Sequence, residues 1–252
     1  MLLGYTTSDY NKHCIKFAYG FSSPSIVFPA QLNNGQDVLV DDYYQSYMWM
    51  KANTPQDARF LAWWDYGYQI TGIGNRTTLA DGNTWNHEHI ALIGKIMMSS
   101  VEKAHSLARH MADYVLIWTG SNGDIGKSIH MARIGNSVYP DVCPNDPQCS
   151  NFMFRDNSRT PPKMLRQSFL YNMHEHGVGG VELNQSLFRE VYRSKYNLVR
   201  IFEVLNVSKK SKRWIADPAN RVCYPPGSWS CSGQYPPAKP IQDMLATAVK
   251  LR

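Results

Sequence analysis

Short, mostly apolar runs alternate along the chain with longer segments whose apolar residues recur every three or four positions. That mixture predicts strands and helices in one fold. Arg59 to Trp63 and Tyr114 to Trp118 have the length and residue types of buried strands. The first would set a Trp-Trp-Asp triplet at a strand end, where loops gather ligand groups. Asn197 to Val207 alternates with period two and reads as a half-buried strand, after a charged stretch from Phe188. Helical spacing runs from an N-cap candidate, Asp41, through Met50, from Thr84 to Met98, and from Ser100 to Met111. It recurs near Asp124–Ile134, Lys163–His176 and Ile241–Leu251. Residues to about Asn34 are turn-rich around Ser22-Ser23-Pro24-Ser25, and Asp217–Pro240, rich in Pro, Gly and Cys, reads as an extended ordered segment.

The expected fold class is therefore mixed α/β: a helix-rich globular central core with a small sheet, plus an extended Pro/Cys-rich C-terminal segment. Residues 1–34 form a lead-in and 35–135 the central core. Residues 136–252 form the C-terminal part of the same module or of a closely packed second one, with a weak boundary near Gly135–Pro162. Neither an internal repeat nor a low-complexity tract is found.

Composition agrees with a folded globule: 43% of residues are hydrophobic and 12% aromatic. Apolar runs such as Tyr114–Trp118 are far too short to span a bilayer, and Met1-Leu2-Leu3-Gly4 leads into polar residues, unlike a signal peptide. By itself such a chain is expected to be soluble. The net charge of +6 includes one dense run, Lys209-Lys210-Ser211-Lys212-Arg213, which reads as a solvated face. No nucleic-acid motif accompanies it, so nucleic acid is not an expected partner.

The chemistry concentrates in Trp63-Trp64-Asp65-Tyr66-Gly67. Indole N–H is a donor only and ionised carboxylate an acceptor only, whereas a Ser or Thr hydroxyl is both. Two indoles and one carboxylate could satisfy one hydroxyl completely. A site built that way rejects an analogue lacking the hydroxyl by roughly 10⁴–10⁵. The plainer reading is a core Trp pair followed by a turn.

Resemblance decides between them. WWDYG resembles the signature of the catalytic subunit of oligosaccharyltransferase, the glycosyltransferase of asparagine-linked glycosylation. The stretches DDYYQSYMWMKANTPQDARFLA and AWWDYGYQITGIGNRTTLADGNTWNHEHIALIGK resemble eukaryotic members. DPANRVCYPPGSWSCSGQYPPAKPIQDML resembles kinetoplastid ones, which act as single subunits. The resemblance covers nearly the whole chain. It implies a C-terminal luminal domain that recognises the acceptor sequon Asn-x-Ser/Thr, with the lead-in following a membrane domain that lies outside the chain. Trp63, Trp64 and Asp65 would hold the hydroxyl at the +2 position, while Tyr66 and Gly67 would be structural, with Gly67 permitting a tight backbone path. Tyr68 and His89 would face the pyrophosphate or first sugar of a lipid-linked donor.

Thr119-Gly-Ser-Asn-Gly-Asp-Ile-Gly-Lys-Ser128 follows a strand and opens a helix, as a phosphate loop does. The glycine that loop requires falls on Ser121, so nucleotide binding is the weaker reading. In another register, Asp124, Lys127 and Met131 share a helix face at i, i+3, i+7. They resemble the family's DK motif, with Asp124 structural and Lys127 and Met131 in the acceptor pocket. Met131 would touch the β-methyl of Thr, worth about 1 kcal/mol, and so favour Thr over Ser. Without WWDYG, an ordinary helix face would be preferred. His87-Glu88-His89 and His174-Glu175-His176 lack the spacing of a helical zinc pair, and no metal ligand is assigned.

Transfer to an amide nitrogen also needs a divalent cation, Mn²⁺ or Mg²⁺, which the family holds on acidic residues of the membrane domain and its luminal loops. No equivalent acidic motif occurs here; Asp41-Asp42 is adjacent, not spaced. No catalytic residue is therefore assigned, and the isolated chain is expected to be inactive. The alternative is a non-catalytic luminal domain that binds glycan or peptide. An endoplasmic reticulum lumen would suit two short-loop disulfides, Cys143 with Cys149 and Cys223 with Cys231, leaving Cys14 free. Reduced thiols are the alternative; the spacings are not those of a zinc site. Sequons at Asn75, Asn184 and Asn206 are candidate glycosylation sites, with Asn206 favoured and Asn75 disfavoured as close to the pocket.

Overall fold

A computed structural model describes residues 2–21, 25–83, 87–120, 123–154, 160–220 and 235–249, with backbone alone for 2–6 and 21. The chain opens with helix α1 (Leu2–Phe21), whose described side chains are exposed, and a hairpin of β1 (Phe28–Gln31) and β2 (Asp37–Val40). Then come α2 (Asp42–Asn53), β3 (Arg59–Leu61), α3 (Gly67–Gly72), β4 (Thr77–Thr78), α4 (His87–Met98), α5 (Val101–Met111) and β5 (Tyr114–Trp118). The rest comprises α6 (Ser128–Val138), α7 (Lys163–Gln167), α8 (Phe169–Glu175), β6 (Phe188–Arg193), β7 (Val199–Val204), α9 (Lys209–Ala216) and α10 (Lys239–Ala246). Among the described residues, no helix is long and apolar enough to cross a membrane.

Five strands form one mixed sheet in the order β4-β3-β5-β7-β6. β3 runs parallel to β4 and β5, while β7 is antiparallel to β5 and β6. β3 and the last four residues of β5 are buried throughout, which explains their unbroken apolar character. Helices α5 and α8 pack on the sheet, and α4 crosses α6. That crossing is close because two glycines meet: a Cβ at Gly94 would strike the Met131 carbonyl, and one at Gly135 would lie 3.0 Å from Lys95 N. The crossing fixes α6, and with it the turn that carries Lys127.

Several sequence expectations are corrected. The turn-rich lead-in contains α1 and a hairpin, because its polar residues ride on helical backbone. Asp41 occupies the N-cap of α2, but its carboxylate accepts from Gln45 Nε2 (2.7 Å) and caps no backbone N–H. Asp42 turns inward and takes the N–H groups of Tyr196 (2.8 Å) and Leu198. Ser168 divides the expected Lys163–His176 helix, its hydroxyl accepting the N–H of Tyr171 as the cap of α8. The charged stretch from Phe188 is itself strand β6. The Ser100 cap of α5 is present, accepting from Lys103 N. Thr84 and the Cys223–Cys231 pair lie outside the described residues.

One buried ion pair anchors the far edge of the sheet. Arg200, 1% exposed, donates to both oxygens of Glu190 (2.9 and 2.6 Å) and to the carbonyls of His174 and His176. Burial raises the Glu190 pKa, but Arg193 and Arg200 outweigh it and hold the carboxyl down at about 2. A depressed carboxylate stabilises the fold above its unfolded value near 4.3, and that stability drains away as pH falls toward 2. Glu190→Gln is thus expected to lower Tm at pH 7, by an amount that shrinks between about pH 4.5 and pH 2. A pH-independent Tm difference in calorimetry would refute this assignment.

Candidate functional site

Because β3 and β5 are parallel neighbours, their carboxyl ends lie side by side. The Trp63–Gly67 segment leaves one end and the Thr119–Lys127 segment the other. Loops at adjacent parallel strand ends are a recurring place for a ligand. The backbone then turns tightly through two short 3-10 helices, Trp64–Tyr66 and Asp124–Lys127.

Between them lies a polar chain. Trp118 N–H donates to Asp124 Oδ2 (2.9 Å), and the Tyr66 hydroxyl donates to Asp124 Oδ1. Lys127 Nζ donates to the Tyr66 oxygen (3.0 Å) and to Asp65 Oδ2 (2.6 Å). Tyr66 is stacked on Trp118 with ring centroids 4.1 Å apart, and Trp118 meets Tyr43 at 4.0 Å. The Lys127 ammonium sits 4.9 Å from the Tyr66 ring centroid and 5.9 Å from that of Trp118, a cation over aromatic faces. Asp124 is completely buried, and that burial pushes its carboxyl up to about 6 against the hydrogen bonds that favour the anion. Burial, then Asp124, pushes the Tyr66 phenol well above its ordinary value, so Tyr66 stays a neutral donor.

The outer groups are less satisfied. Asp65 and Lys127 side chains remain 31% and 28% exposed. No hydrogen bond reaches Asp65 Oδ1 among the described residues. The Trp64 indole N–H is covered from bulk solvent yet has no partner among them. Trp63 lies beside it, 6.3 Å away between ring centroids, but is 3% exposed and packed in the apolar core. A native buried donor without a partner calls for an explanation.

One sequence assignment needs revision, that of Met131. The single helix face expected for Asp124, Lys127 and Met131 is divided, Asp124 and Lys127 lying on a 3-10 turn and Met131 on α6, with Asp124 and Met131 buried. Only the long lysine reaches the rim. Met131 exposes no surface and belongs to the apolar core, so it is not among the groups that face outward beside Lys127. Met131→Ala is expected to cost about 2–4 kcal/mol in denaturant unfolding, since a fully buried thioether is removed. A cost below 1 kcal/mol would mean the side chain is not packed as described. Gly67 permits the tight backbone path expected of it, at an ordinary helical φ of −58°, through close approach of a neighbouring segment. A Cβ there would collide with the Ala80 carbonyl and the Cα and Cβ of Asp81.

Tyr68 is 59% exposed, and its ring lies over Gly82. His89 faces inward: Nδ1 meets the Leu79 carbonyl (3.1 Å), the ring is edge-on to Tyr235, and burial pushes its pKa down to about 4. That burial favours the neutral ring. Cys143 and Cys149 form a disulfide, and Cys14 is a free, exposed thiol. Asn75 precedes β4, so it lies at the amino end of the parallel strands, opposite the motif, and not near the pocket as sequence proximity implied. Asn184, ahead of β6, and Asn206, after the antiparallel β7, are at that same pole; all three sequon asparagines are exposed. Trp118 and Tyr43 were not singled out from the sequence. An aromatic residue closing a parallel strand was the available signal for Trp118.

Fold and site together define a mixed α/β domain with an aromatic and polar cluster at parallel strand ends. Residues 56–176 match the STT3/PglB/AglB core domain. The chain is 42% identical over 174 residues to the dolichyl-diphosphooligosaccharide–protein glycosyltransferase subunit STT3B of Oryza sativa subsp. japonica, covering 66% of this chain and 24% of that protein. It is 36% identical over 209 residues to subunit stt3 of Schizosaccharomyces pombe, with 73% and 28% covered. Among solved structures, the C-terminal globular domain of oligosaccharyltransferase from Archaeoglobus fulgidus aligns at 20% identity and a TM-score of 0.44, covering 65% of this chain and 96% of that one. The chain belongs to the STT3/PglB/AglB family. It spans about a quarter of the length of the curated relatives it matches.

Proposed function

We propose that this chain is the acceptor-recognition domain of an oligosaccharyltransferase, binding the +2 hydroxyl of Asn-x-Ser/Thr in the pocket of Trp63, Trp64 and Asp65. The observation that supports this most is the pair of unmet groups on adjacent residues. Trp64 has a covered N–H with no partner, and Asp65 keeps one oxygen free while Lys127 holds the other. A leftover donor beside a leftover acceptor complements a hydroxyl. Lys127 orients the carboxylate, and Met131, buried in the core on α6, would influence a preference for Thr only through packing.

The chemistry belongs elsewhere in the parent protein. Two extended residues separate the hydroxyl from the reacting Asn, roughly 7 Å. Among the described residues no group of three His, Cys, Asp or Glu side chains could hold a metal ion. On this reading the Mn²⁺ or Mg²⁺ implied by the resemblance would be held by residues outside this chain. The partners on this reading are a sequon-bearing polypeptide, the lipid-linked oligosaccharide donor and the protein's own membrane domain, in the lumen of the endoplasmic reticulum. Any glycans on Asn75, Asn184 or Asn206 would then project from the pole opposite the pocket.

The test is an NMR titration of this chain with Asn-x-Thr and Asn-x-Ala peptides. The Thr peptide is expected to shift the Trp64 indole resonance at millimolar concentrations, and the Ala peptide is not. Equal shifts from both would favour a glycan- or peptide-binding domain without sequon specificity.

A further inference from the structure

Building on the acceptor pocket just proposed, we infer that Tyr66 is a positioning residue whose hydroxyl keeps the Lys127 ammonium on Asp65 by standing between that ammonium and the buried Asp124 carboxylate. Two carboxylates compete here for one cation. Asp124 is wholly buried and, among the described residues, has two donors, the Tyr66 hydroxyl and the Trp118 N–H. Asp65 is partly exposed and contacts Lys127 directly. A buried anion attracts a nearby cation more strongly than a hydrated one does, because the surrounding dielectric is lower. Unopposed, Lys127 would move inward to Asp124. It does not, because the phenol fills that position. Its proton satisfies Asp124, and its oxygen accepts from Lys127 at 3.0 Å.

The phenol cannot drift from this place. Tyr66 is 1% exposed, and its ring is nearly parallel to Trp118, at 17° and 4.1 Å. Trp118 is tied in turn to Asp124 through its own backbone N–H. Burial also keeps the phenol protonated, so it remains a spacer rather than becoming a third anion.

Removing the hydroxyl should therefore redirect the lysine. In Tyr66→Phe, Asp124 loses a donor, Lys127 swings to it, and Asp65 loses its clamp. In the complete transferase the KM for an Asn-x-Thr peptide is expected to rise about tenfold or more, the scale of one charge-assisted hydrogen bond, with kcat within about twofold. Adding Asp124→Asn removes the charge that draws Lys127 inward. The amide oxygen can still accept from Trp118, and its NH₂ repels the ammonium. Tyr66→Phe/Asp124→Asn is thus expected to recover most of the lost KM, whereas two independent structural defects would add. A further rise in KM in the double variant would overturn the inference. So would an unchanged KM in Tyr66→Phe. If the single variant does not fold, the double variant carries the test alone, since it lacks the uncompensated carboxylate. A KM within about threefold of wild type then supports the spacer role, and one raised tenfold refutes it. Asp65→Ala separates the two readings: if it leaves turnover intact the pocket itself is wrong, and if it abolishes turnover only the role of Tyr66 is in question.

Discussion

Asp65→Ala in the complete transferase is expected to cut sequon glycosylation by roughly 10²–10⁴-fold while leaving this domain folded. The size follows from what the substitution strands. The acceptor hydroxyl loses a charged partner, worth about 1.5–3 kcal/mol, and a desolvated hydroxyl without one costs about 1–3 kcal/mol more. Every 1.4 kcal/mol is a factor of ten. The fold should survive, because the Asp65–Lys127 pair is about one-third exposed and such pairs stabilise by 1 kcal/mol at most. The measurements are initial rates with an Asn-x-Thr peptide and Tm of the same preparation. Near-normal turnover would sink the acceptor pocket. A collapse in Tm together with activity would make Asp65 a structural residue.

Gly67→Ala should be the more damaging change, although it adds only one methyl group. That methyl would have to occupy space already held by the Ala80 carbonyl and the Asp81 backbone. Backbone cannot rotate out of the way as a side chain end can. Overpacking of this kind costs about 1–3 kcal/mol and sometimes more. The contact also holds the segment after β4 against the first turn of α3, directly behind the motif. The expected result is a drop in Tm of several degrees or more, with weaker acceptor binding in the fraction that folds. An unchanged Tm would show that the segment at 80–81 yields easily.

These expectations rest unequally on sequence and structure. The apolar runs at Arg59–Leu61 and Tyr114–Trp118 were legible as strands because both faces of each are buried, which leaves a continuous hydrophobic signal. Ser100 was legible as a cap because capping is local. Strand β6 was hidden: Phe188–Arg193 lies at the sheet edge, and its Glu190 and Arg193 are engaged in an ion-pair network that reads as a charged, solvated stretch. Asn75 was misplaced because eight residues of chain after Gly67 include a short helix that carries the backbone back to the other end of the sheet.

By itself, the sequence determined which groups this domain can offer. It has two donor indoles next to an acceptor carboxylate, and an Asp and Lys one turn apart, whose bonding capacities are properties of the side chains. Only the tertiary structure decided which of them meet. The parallel pairing of β3 and β5 brings Lys127 to Asp65 across 62 residues of chain. The Gly94–Gly135 crossing seats α6 so that Met131 is sealed and Lys127 reaches out. The stacking of Tyr66 on Trp118 places a phenol between two competing carboxylates. None of these follows from local pattern, because each depends on how closely distant backbones approach, and that is settled by packing over the whole core.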